Sequence, residues 1–262
     1  MCEKSIFVDN NSVQDVTVVC GKNAVLELLK SPAQTDAVYI SSAAPEKEYS
    51  HIISIATAKG AVIKKVPSSK LDKLSGGERH QGVAAVSPGI TYRTLDEVFD
   101  LAKEKDEDPF FILTDGIEDP HNFGAIIRTA ECAGAHAVIF PKRGVSGVTT
   151  SVFRTSAGAC AHLPLVRVSN LASAIREIKE RGVFCYCADM DGVYCAQTDL
   201  TGPCALIVGA EGKGVSRLIK DLCDATISLP MKGKVTSLNA SVAAGAVIYE
   251  IVRQRLLSEN RK

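Results

Sequence analysis

The sequence predicts an α/β protein in which a small α/β module precedes a larger, mostly parallel sheet. From residue 110 onward, short apolar runs such as FFILTDG and ALIVGAEG alternate with helix-like segments such as NLASAIREIKERG. Continuous apolar strands separated by helices are typical of a parallel sheet covered on both faces. Before residue 85, GKNAVLELLKS has apolar residues at helical spacing, and AVYISS has the pattern of a short strand.

The length of the chain and a connection rich in glycine and proline predict two domains. The 262 residues are 46% hydrophobic, which is enough material for two cores. The first domain is predicted to cover residues 1–85 and to end in SGGERHQGVAAVSPG, where Pro88 and Gly89 mark a turn-rich connection. Residues 86–108 contain the highly charged LDEVFDLAKEKDED, interpreted as a linker or a solvated surface helix. The second domain is predicted to cover residues 109–262 and to end in a long helix.

Composition excludes several classes of protein. Thirty basic and thirty acidic residues leave no overall positive field, so any RNA-binding surface must be local. The amino terminus has no apolar core of signal-peptide length and no run approaches the roughly 18 residues of a membrane span, so we expect a cytosolic protein without a membrane segment. Nine cysteines without a CxxC pair argue against a metal site or a disulfide framework. Cys185 and Cys187 are interpreted as thiols on one face of a buried strand.

The first segment that could carry chemistry is DGIEDPHNFGAIIRTAECAG. A strand is predicted to stop at Asp115, and a helix to run from near Asn122 to Gly134. Asn122 is either the N-cap of that helix or a polar site residue. Arg128 lies four residues after Gly124, so both are expected on one helix face, with room for a ligand beside the guanidinium. A solvated surface arginine is the competing interpretation.

The second segment is ALIVGAEGKGVSRLIKDLC, in which a buried strand opens into a glycine-rich loop. Nucleotide-like ligands bind at such strand ends, although glycine turns also serve as plain connections. Glu211 stands where the dinucleotide fingerprint has glycine, and Lys213 is not followed by Ser or Thr as in a P-loop. An acidic side chain repels phosphate, so the pattern favours an adenosine-like ligand without phosphate.

The third segment is ISLPMKGKVTSLNASVAAG, which leads into the last helix. Ser237, Asn239 and Ser241 are each either a helix cap or a site residue. Small residues are concentrated in the first turns of the helix, which would allow another backbone to approach closely.

Taken together, these segments resemble the three motifs of the SpoU/TrmH (SPOUT) family of RNA ribose 2′-O-methyltransferases. The matching patterns are NxGxxxR at 122–128, GAEGxG at 209–214 and LPMxGxxxSLNxSxA at 229–243. In the front segment, GKNAVLELL and ERHQGVAA are similar to the L30e-like RNA-binding domain of the branch that methylates a guanosine of 23S rRNA. The branch that methylates tRNA guanosine is the second choice.

The resemblance implies an α/β knot at the carboxyl terminus, a homodimer, and S-adenosylmethionine as the cofactor. It places the cofactor on the backbone of the second and third motifs, at Gly209, Gly214, Leu229, Met231 and Leu238. No metal is implied.

The resemblance also implies a polar catalytic cluster and an RNA-binding surface. The catalytic cluster would be formed by Asn122, Arg128, Glu211, Ser237 and Asn239. In this cluster Glu211 is expected either to orient Arg128 or to bind the substrate nucleotide, and Asn122 to hold the arginine fork by a hydrogen bond. Contacts to RNA are expected from Lys22, Arg79 and His80, although residues 1–80 contain ten basic and nine acidic side chains and so form no basic patch by count.

Two other functions stay open at this point. One is an RNA-binding scaffold without catalysis, which would tolerate the loss of Arg128 and Glu211. The other is a different nucleotide-dependent enzyme with a coincidental glycine loop. The presence of both residues and of the full third motif favours a working methyltransferase.

Overall fold

The computed structural model describes residues 17–31, 33–43, 45–77, 79–87, 91–144 and 147–259. The amino-terminal residues 1–16, interpreted above as free of a signal peptide, lie outside this range, as do Pro88 and Gly89 of the connection. In the described chain, no helix combines the length and the apolar character that crossing a membrane would require.

The front module is a four-stranded mixed sheet with helices packed against it. The strand order is β1-β4-β2-β3, in which β2 and β3 are parallel and the other pairs are antiparallel. Its elements are β1 (Thr17–Cys20), α1 (Lys22–Lys30), β2 (Ala37–Ser41), a 3-10 turn (Glu46–Tyr49), α2 (Ser50–Ala58), β3 (Val62–Val66), α3 (Ser68–Leu74) and β4 (Val83–Ser87).

The second part of the chain is built on a six-stranded, entirely parallel sheet. Its strand order is β10-β8-β9-β5-β6-β7. The strands are β5 (Phe110–Asp115), β6 (Ala137–Pro141), β7 (Leu165–Val168), β8 (Phe184–Tyr194), β9 (Cys204–Gly209) and β10 (Ala225–Ser228). The helices are α4 (Leu95–Glu104), α5 (Pro120–Cys132), α6 (Thr150–Thr155), α7 (Leu171–Glu180), α8 (Arg217–Leu222) and α9 (Ala240–Glu259). The predicted α/β class and the mostly parallel sheet are confirmed.

Both faces of the large sheet are buried, as the continuous apolar strands predict. Along β5, Phe110 and Ile112 belong to one apolar cluster, which also contains residues of α5 and α9. Phe111 and Leu113 point to the opposite face, where α4, α7 and α8 provide the cover. Cys185 and Cys187 lie on that second face and are fully buried, so their interpretation as core thiols is confirmed.

The charged segment between the two sheets is a packed helix. Thr94 caps α4 and forms a capping box with Glu97, which explains why so charged a stretch is helical. Val98 is fully buried against the large sheet, and the backbone of Arg93 forms an isolated β-bridge with Val166 of β7. Of the two interpretations, a linker or a surface helix, the helix is therefore present at Leu95–Glu104, and its apolar side belongs to the second core.

The front module and the large sheet share one apolar cluster. Val25 and Leu28 of α1 belong to the same cluster as Val152 and Phe153 of α6. Contact is so close that a Cβ placed on Gly158 would lie 2.4 Å from the Cβ of Glu27 in α1. The two sheets are thus joined by apolar packing as well as by the chain.

Small residues set the spacing of the helices on the α5 face of the sheet. A Cβ on Gly124 would lie 2.7 Å from the Cβ of Thr155 and 3.0 Å from the backbone nitrogen of Ser156, so α5 and α6 meet at this glycine. A Cβ on Gly245 would lie 3.6 Å from Thr129, where α9 crosses α5. The predicted close approach to the small-residue start of the last helix is therefore present.

Substituting Gly124 by Ala should destabilise the protein. An alanine in a helix normally adds stability relative to glycine, so a loss would report the overlap with α6. We expect the free energy of unfolding to fall by about 1–3 kcal/mol, as for other overpacked cores. Denaturant unfolding of Gly124→Ala measures this, with Gly202→Ala as the control because nothing lies within 4 Å of a Cβ there. Equal stability of the two variants would contradict the packing argument.

His136 should make folding sensitive to mild acid. The ring is 3% exposed, its Nδ1 accepts a hydrogen bond from the Phe110 amide at 3.1 Å, and burial lowers the pKa of His136 despite the nearby carboxylate of Glu107. A lowered pKa means that the unfolded chain takes up the proton first, so stability present above about pH 6.5 is lost as the pH falls.

The slope contributed by this residue has an upper limit of about 1.4 kcal/mol per pH unit. Denaturant unfolding at pH 7 and pH 5 should show a smaller pH dependence for His136→Gln than for the unchanged protein, since the other titrating groups are common to both. Parallel pH profiles would show that His136 is not responsible.

Candidate active site

The candidate site lies at the carboxyl ends of the central strands. In the parallel ladder Asp115 of β5 pairs with Gly209 of β9, so both strands end at the same level. This is where the strand order reverses direction, because β6 follows β5 on one side and β9 lies on the other. Open parallel sheets bind ligands at such a position. The loops there enclose a cleft of about 400 Å³, lined by Asp115, Gly116, Ile117, Glu118, Asp119, Asn122, Ala210, Glu211, Lys213, Gly214 and Ser216.

The loop after β9 folds back on the strand end. Ala210 and Gly214 form a β-bridge, and the Gly214 amide donates to the Ala210 carbonyl at 2.8 Å. A Cβ on Gly209 would lie 2.0 Å from the Gly214 carbonyl carbon, so only glycine permits this crossing. The Ser216 amide then donates to Asp115 Oδ2 at 2.8 Å, which ties the loop to β5. The glycines therefore have a structural role of their own.

The helix that follows β5 starts earlier than expected. Asp119 is the N-cap of α5, with its side chain accepting from the His121 amide, and Pro120 occupies the first turn. The interpretation of Asn122 as the N-cap is therefore wrong. Instead Asn122 is buried in the first turn of α5, and its side chain is free to face the loop after β9.

Asn122, Glu211 and Asn239 form a hydrogen-bonded cluster, which we call the amide–carboxylate trio. Asn239 Nδ2 donates to Asn122 Oδ1 at 2.9 Å and to Glu211 Oε2 at 3.0 Å. Asn122 Nδ2 lies 3.4 Å from the same Glu211 oxygen. These three residues come from three separate motifs and lie together as the family resemblance implied.

Asn239 is both a cap and a member of the trio. Its Oδ1 accepts from the Ser241 amide at 3.0 Å and from the Ser241 hydroxyl at 2.6 Å, at the start of α9. Its Nδ2 points the other way into the trio. The two interpretations offered by the sequence are therefore both correct for this residue. Ser237 is exposed, and none of the described residues forms a hydrogen bond with its side chain.

Arg128 does not join the trio. It lies six residues after Asn122, which is about 9 Å along the helix and about 240° around it. Its side chain is exposed, and the described chain provides it with no hydrogen bond. Of the two roles expected for Glu211, orienting Arg128 is therefore wrong within one chain, and so is the expected hydrogen bond from Asn122 to the arginine fork; Asn122 and Glu211 bond instead to each other and to Asn239. The expected space beside Gly124 is also absent, because α6 fills it.

The segment expected to contact the cofactor lies open on the surface. Met231 and Leu238 are 39% and 41% exposed, and Leu229 is partly buried against the core. Between Met231 and Leu238, the described residues make no backbone hydrogen bonds to one another or to the rest of the described chain. Exposed apolar side chains beside unpaired amides and carbonyls fit S-adenosylmethionine, whose adenosine needs both an apolar surface and backbone partners. The residues present are thus suited to the implied cofactor.

The cleft itself is acidic. Asp115, Glu118, Asp119 and Glu211 provide four carboxylates against the single ammonium of Lys213. Such a cleft disfavours phosphate and favours cations and hydrogen-bond donors. The sequence interpretation singled out only Glu211. The position of Asp115, directly after a buried strand, was the available signal for the rest of the acidic rim.

The three residues expected to contact RNA occupy different surroundings. Lys22 and Arg79 line a cavity of about 550 Å³ in the front module, together with Asn23, Glu48, Tyr49 and Gln81. His80 does not line this cavity. Its Nδ1 accepts from the Gly82 amide at 2.9 Å, and its Nε2 lies 3.0 Å from Asp72. Among the described residues, no group of three or more His, Cys, Asp and Glu side chains is arranged to hold a metal ion.

Family models match both parts of the chain. Residues 109–249 match the model of the SpoU rRNA Methylase family. Residues 18–93 match the model described as RNA 2′-O ribose methyltransferase substrate binding.

Individual relatives extend over nearly the whole chain. The putative TrmH family tRNA/rRNA methyltransferase YacO of Bacillus subtilis is 45% identical over 90% of this chain and 95% of its own length. The SpoU methyltransferase AviRb of Streptomyces viridochromogenes, solved in complex with AdoMet, is 26% identical, with a TM-score of 0.76 over 92% of this chain and 91% of that one. A further solved RNA 2′-O ribose methyltransferase gives a TM-score of 0.74 at 25% identity, over 93% of this chain and 90% of that one. This chain belongs to the SpoU rRNA Methylase family.

Proposed function

We propose that this protein transfers a methyl group from S-adenosylmethionine to the ribose 2′-hydroxyl of a guanosine in 23S rRNA. The observation that carries the proposal is the amide–carboxylate trio, which lies between the acidic cleft and the open segment that leads into α9. A nucleoside in the cleft and a cofactor on that segment would meet at the trio. The AdoMet-bound relative supports the choice of cofactor.

The two parts of the chain would divide the work. In the proposal residues 1–85 recognise RNA, and residues 109–262 carry out methyl transfer. The cavity of the front module supports RNA binding because it combines Arg79, and Lys22 in its ion pair with Glu48, with the amides of Asn23 and Gln81. Cations neutralise phosphates, and amides read base edges. His80 is then a positioning residue that holds the Gly82 turn beside this cavity.

Orientation is the main task of the site. When bound, S-adenosylmethionine supplies a methyl group attached to a sulfonium. The sulfur is a good leaving group because it departs as a neutral thioether. The backbone of Gly209, Gly214, Leu229, Met231 and Leu238 would hold the cofactor so that its methyl group faces the trio. Orientation of this kind lowers the barrier because the reacting atoms no longer have to find one another.

The trio would hold the ribose. Glu211 Oε2 already accepts from Asn239 at 3.0 Å, while the other carboxylate oxygen has no partner among the described residues and is available to the 2′-hydroxyl. Ser237 lies two residues before Asn239 and would add a hydroxyl to the same edge. A charged acceptor held in advance by two amides favours loss of the ribose proton as the methyl group arrives.

Arg128 would act on the RNA backbone. A guanidinium has a pKa above about 12, so it serves poorly as a proton acceptor and well as a fixed positive charge. Its exposed place six residues beyond Asn122 suits a phosphate next to the target ribose better than the 2′-oxygen itself. The charge would hold the nucleotide at the cleft through that phosphate.

Guanosine is favoured by the chemistry of the cleft. Guanine presents N1–H and an amino group along one edge, whereas adenine presents an acceptor at N1. Glu118 lines the cleft without a hydrogen bond to any other described residue, so its carboxylate can accept from both guanine donors. The acidic rim thus discriminates by pairing donors with acceptors.

A homodimer is part of the proposal. One side of α9 packs on α5 and the sheet, while Val242, Tyr249 and Leu256 on the other side are each about half exposed and lie seven residues apart. Apolar residues at this spacing form a seam suited to another helix. We assign this face to a second copy of the chain. The small residues at the start of α9 also agree with the threading that the proposed α/β knot requires.

Incubation with methyl-labelled S-adenosylmethionine and separate pools of rRNA and tRNA tests the function. We expect label in 23S rRNA, recovered after nuclease digestion as 2′-O-methylguanosine. Label confined to tRNA would contradict the rRNA assignment and support the tRNA alternative. Binding of both cofactor and RNA without any transfer would instead identify a scaffold.

Replacing Arg128 by Ala should lower kcat/KM by about 10² or more while leaving the cofactor Kd nearly unchanged, since the residue contacts neither the trio nor the open segment. Arg128→Lys should also fail if the planar fork is needed. Arg176→Ala on the opposite face of the sheet is the matched control, because that residue is exposed as well. Near-normal methylation by Arg128→Ala would remove Arg128 from the mechanism.

A further inference from the structure

Strand β8 makes a detour at the carboxyl edge of the sheet. Cys187 pairs with Thr226 of β10, and the next paired residue is Val193, opposite Ile227. Five residues of β8, Ala188–Gly192, therefore stand opposite a single peptide bond; we call them the β8 excursion. A Cβ on Gly192 would lie 2.6 Å from the Thr226 and Ile227 backbone, so the excursion returns to the ladder in close contact with β10.

The excursion emerges beside the loop that follows β9. Ala188 pairs with Val208, one residue before Gly209, so the excursion leaves the sheet at the level of the glycine-rich loop. Asp189 Oδ2 lies 3.7 Å from where a Cβ of Gly214 would be. The excursion thus flanks this loop on the side away from the acidic cleft, which lies toward β5.

One lysine forms ion pairs with two aspartates of the excursion. Lys220 of α8 places its Nζ 2.9 Å from Asp189 Oδ2 and 2.5 Å from Asp191 Oδ1. Hydrogen bonds to Asp191 and Asp189 raise the pKa of Lys220, so the ammonium is charged throughout the neutral range. Without that charge the two carboxylates would repel one another, since they flank a single residue.

The residue between the two anchors is Met190, which is 67% exposed. The two ion pairs fix the backbone on either side of this exposed apolar side chain. A thioether packs favourably against an aromatic ring. The adenine of the cofactor is such a ring, and the proposed placement of the cofactor on the glycine-rich loop would bring it to this edge of the sheet.

We propose that Lys220 is a positioning residue for the cofactor: by clamping Asp189 and Asp191, it holds the β8 excursion as a wall of the S-adenosylmethionine site and presents Met190 to the adenine. The inference rests on the proposed placement of the cofactor on the glycine-rich loop and the open segment. Lys220 itself lies on α8 and acts through the excursion. Fixing a binding loop in advance raises affinity because less conformational freedom is lost on binding.

The test compares two lysines with similar ion pairs. Lys220→Met removes the clamp and keeps the aliphatic stem. Lys179→Met is the control, because Lys179 Nζ lies 2.8 Å from Asp224 Oδ1 while Asp224 Oδ2 accepts from the Cys185 amide, three residues before the excursion begins. Calorimetric titration of each protein with S-adenosylmethionine, without RNA, gives the cofactor Kd.

We expect Lys220→Met to raise the cofactor Kd and the cofactor KM by about tenfold, with little change in kcat at saturating cofactor or in the KM for RNA. Lys220→Arg should recover most of the affinity. Lys179→Met should lower the melting temperature comparably and leave the cofactor Kd unchanged. An unchanged Kd in Lys220→Met, or an equal rise in Lys179→Met, would overturn the proposal.

Met190→Ala decides the matter if Lys220→Met does not fold. Its exposed side chain contributes little to folding, and a cofactor Kd raised several-fold supports the wall, whereas an unchanged Kd overturns it. The unchanged protein supplies the reference for both variants. If it binds S-adenosylmethionine but methylates no RNA, the proposed function fails, while the Kd comparison still tests Lys220.

Discussion

The parallel register of β9 between β5 and β8 is the constraint on which the candidate site depends. It sets Asp115 beside Gly209 on one side and Ala188 beside Val208 on the other. Three loops therefore leave the sheet at one level and form a common edge. A slip of one residue would turn every side chain of β9 to the opposite face. It would also move Gly209 away from the Gly214 backbone, which crosses so closely that no side chain fits there.

The sequence predicted the architecture well because it depends on short-range patterns. Continuous apolar runs identify buried parallel strands, and the structure has a six-stranded parallel sheet with two covered faces. The charged segment before β5 was interpreted as a linker or a solvated surface helix because its charges dominate the composition. Its helix nevertheless buries Val98, and one or two apolar residues on a short helix are easily overlooked among so many charges.

The site could be predicted in part. Asn122, Glu211 and Asn239 belong to separate motifs, and the structure joins them with hydrogen bonds of 2.9 to 3.4 Å. Spacing along a helix shows which residues share a face, but not what packs against that face. For this reason the space beside Gly124 was assigned to a ligand, although α6 occupies that space. Arg128 was likewise assigned to the catalytic cluster, although it lies on another side of α5. The Lys220 clamp depends on contacts between distant segments, which no local pattern contains.

Asn239 links the start of α9 to the trio. The same side chain begins α9 through its oxygen and completes the trio through its nitrogen. Reversing the amide would place a donor against the helix amides and an acceptor against Glu211, so only one orientation satisfies both ends. The geometry of the trio is therefore maintained by the folding of the last helix.

The apolar cluster shared by α1 and α6 has a consequence for how a target is selected. Since packing runs unbroken from the front module into the large sheet, the cavity at Lys22 and the trio at Asn122 belong to one body. An RNA that engaged both would need its docking element and its reactive ribose at a set separation. Under the proposed function, an RNA with the right nucleotide at the wrong distance from its docking element would be left unmodified.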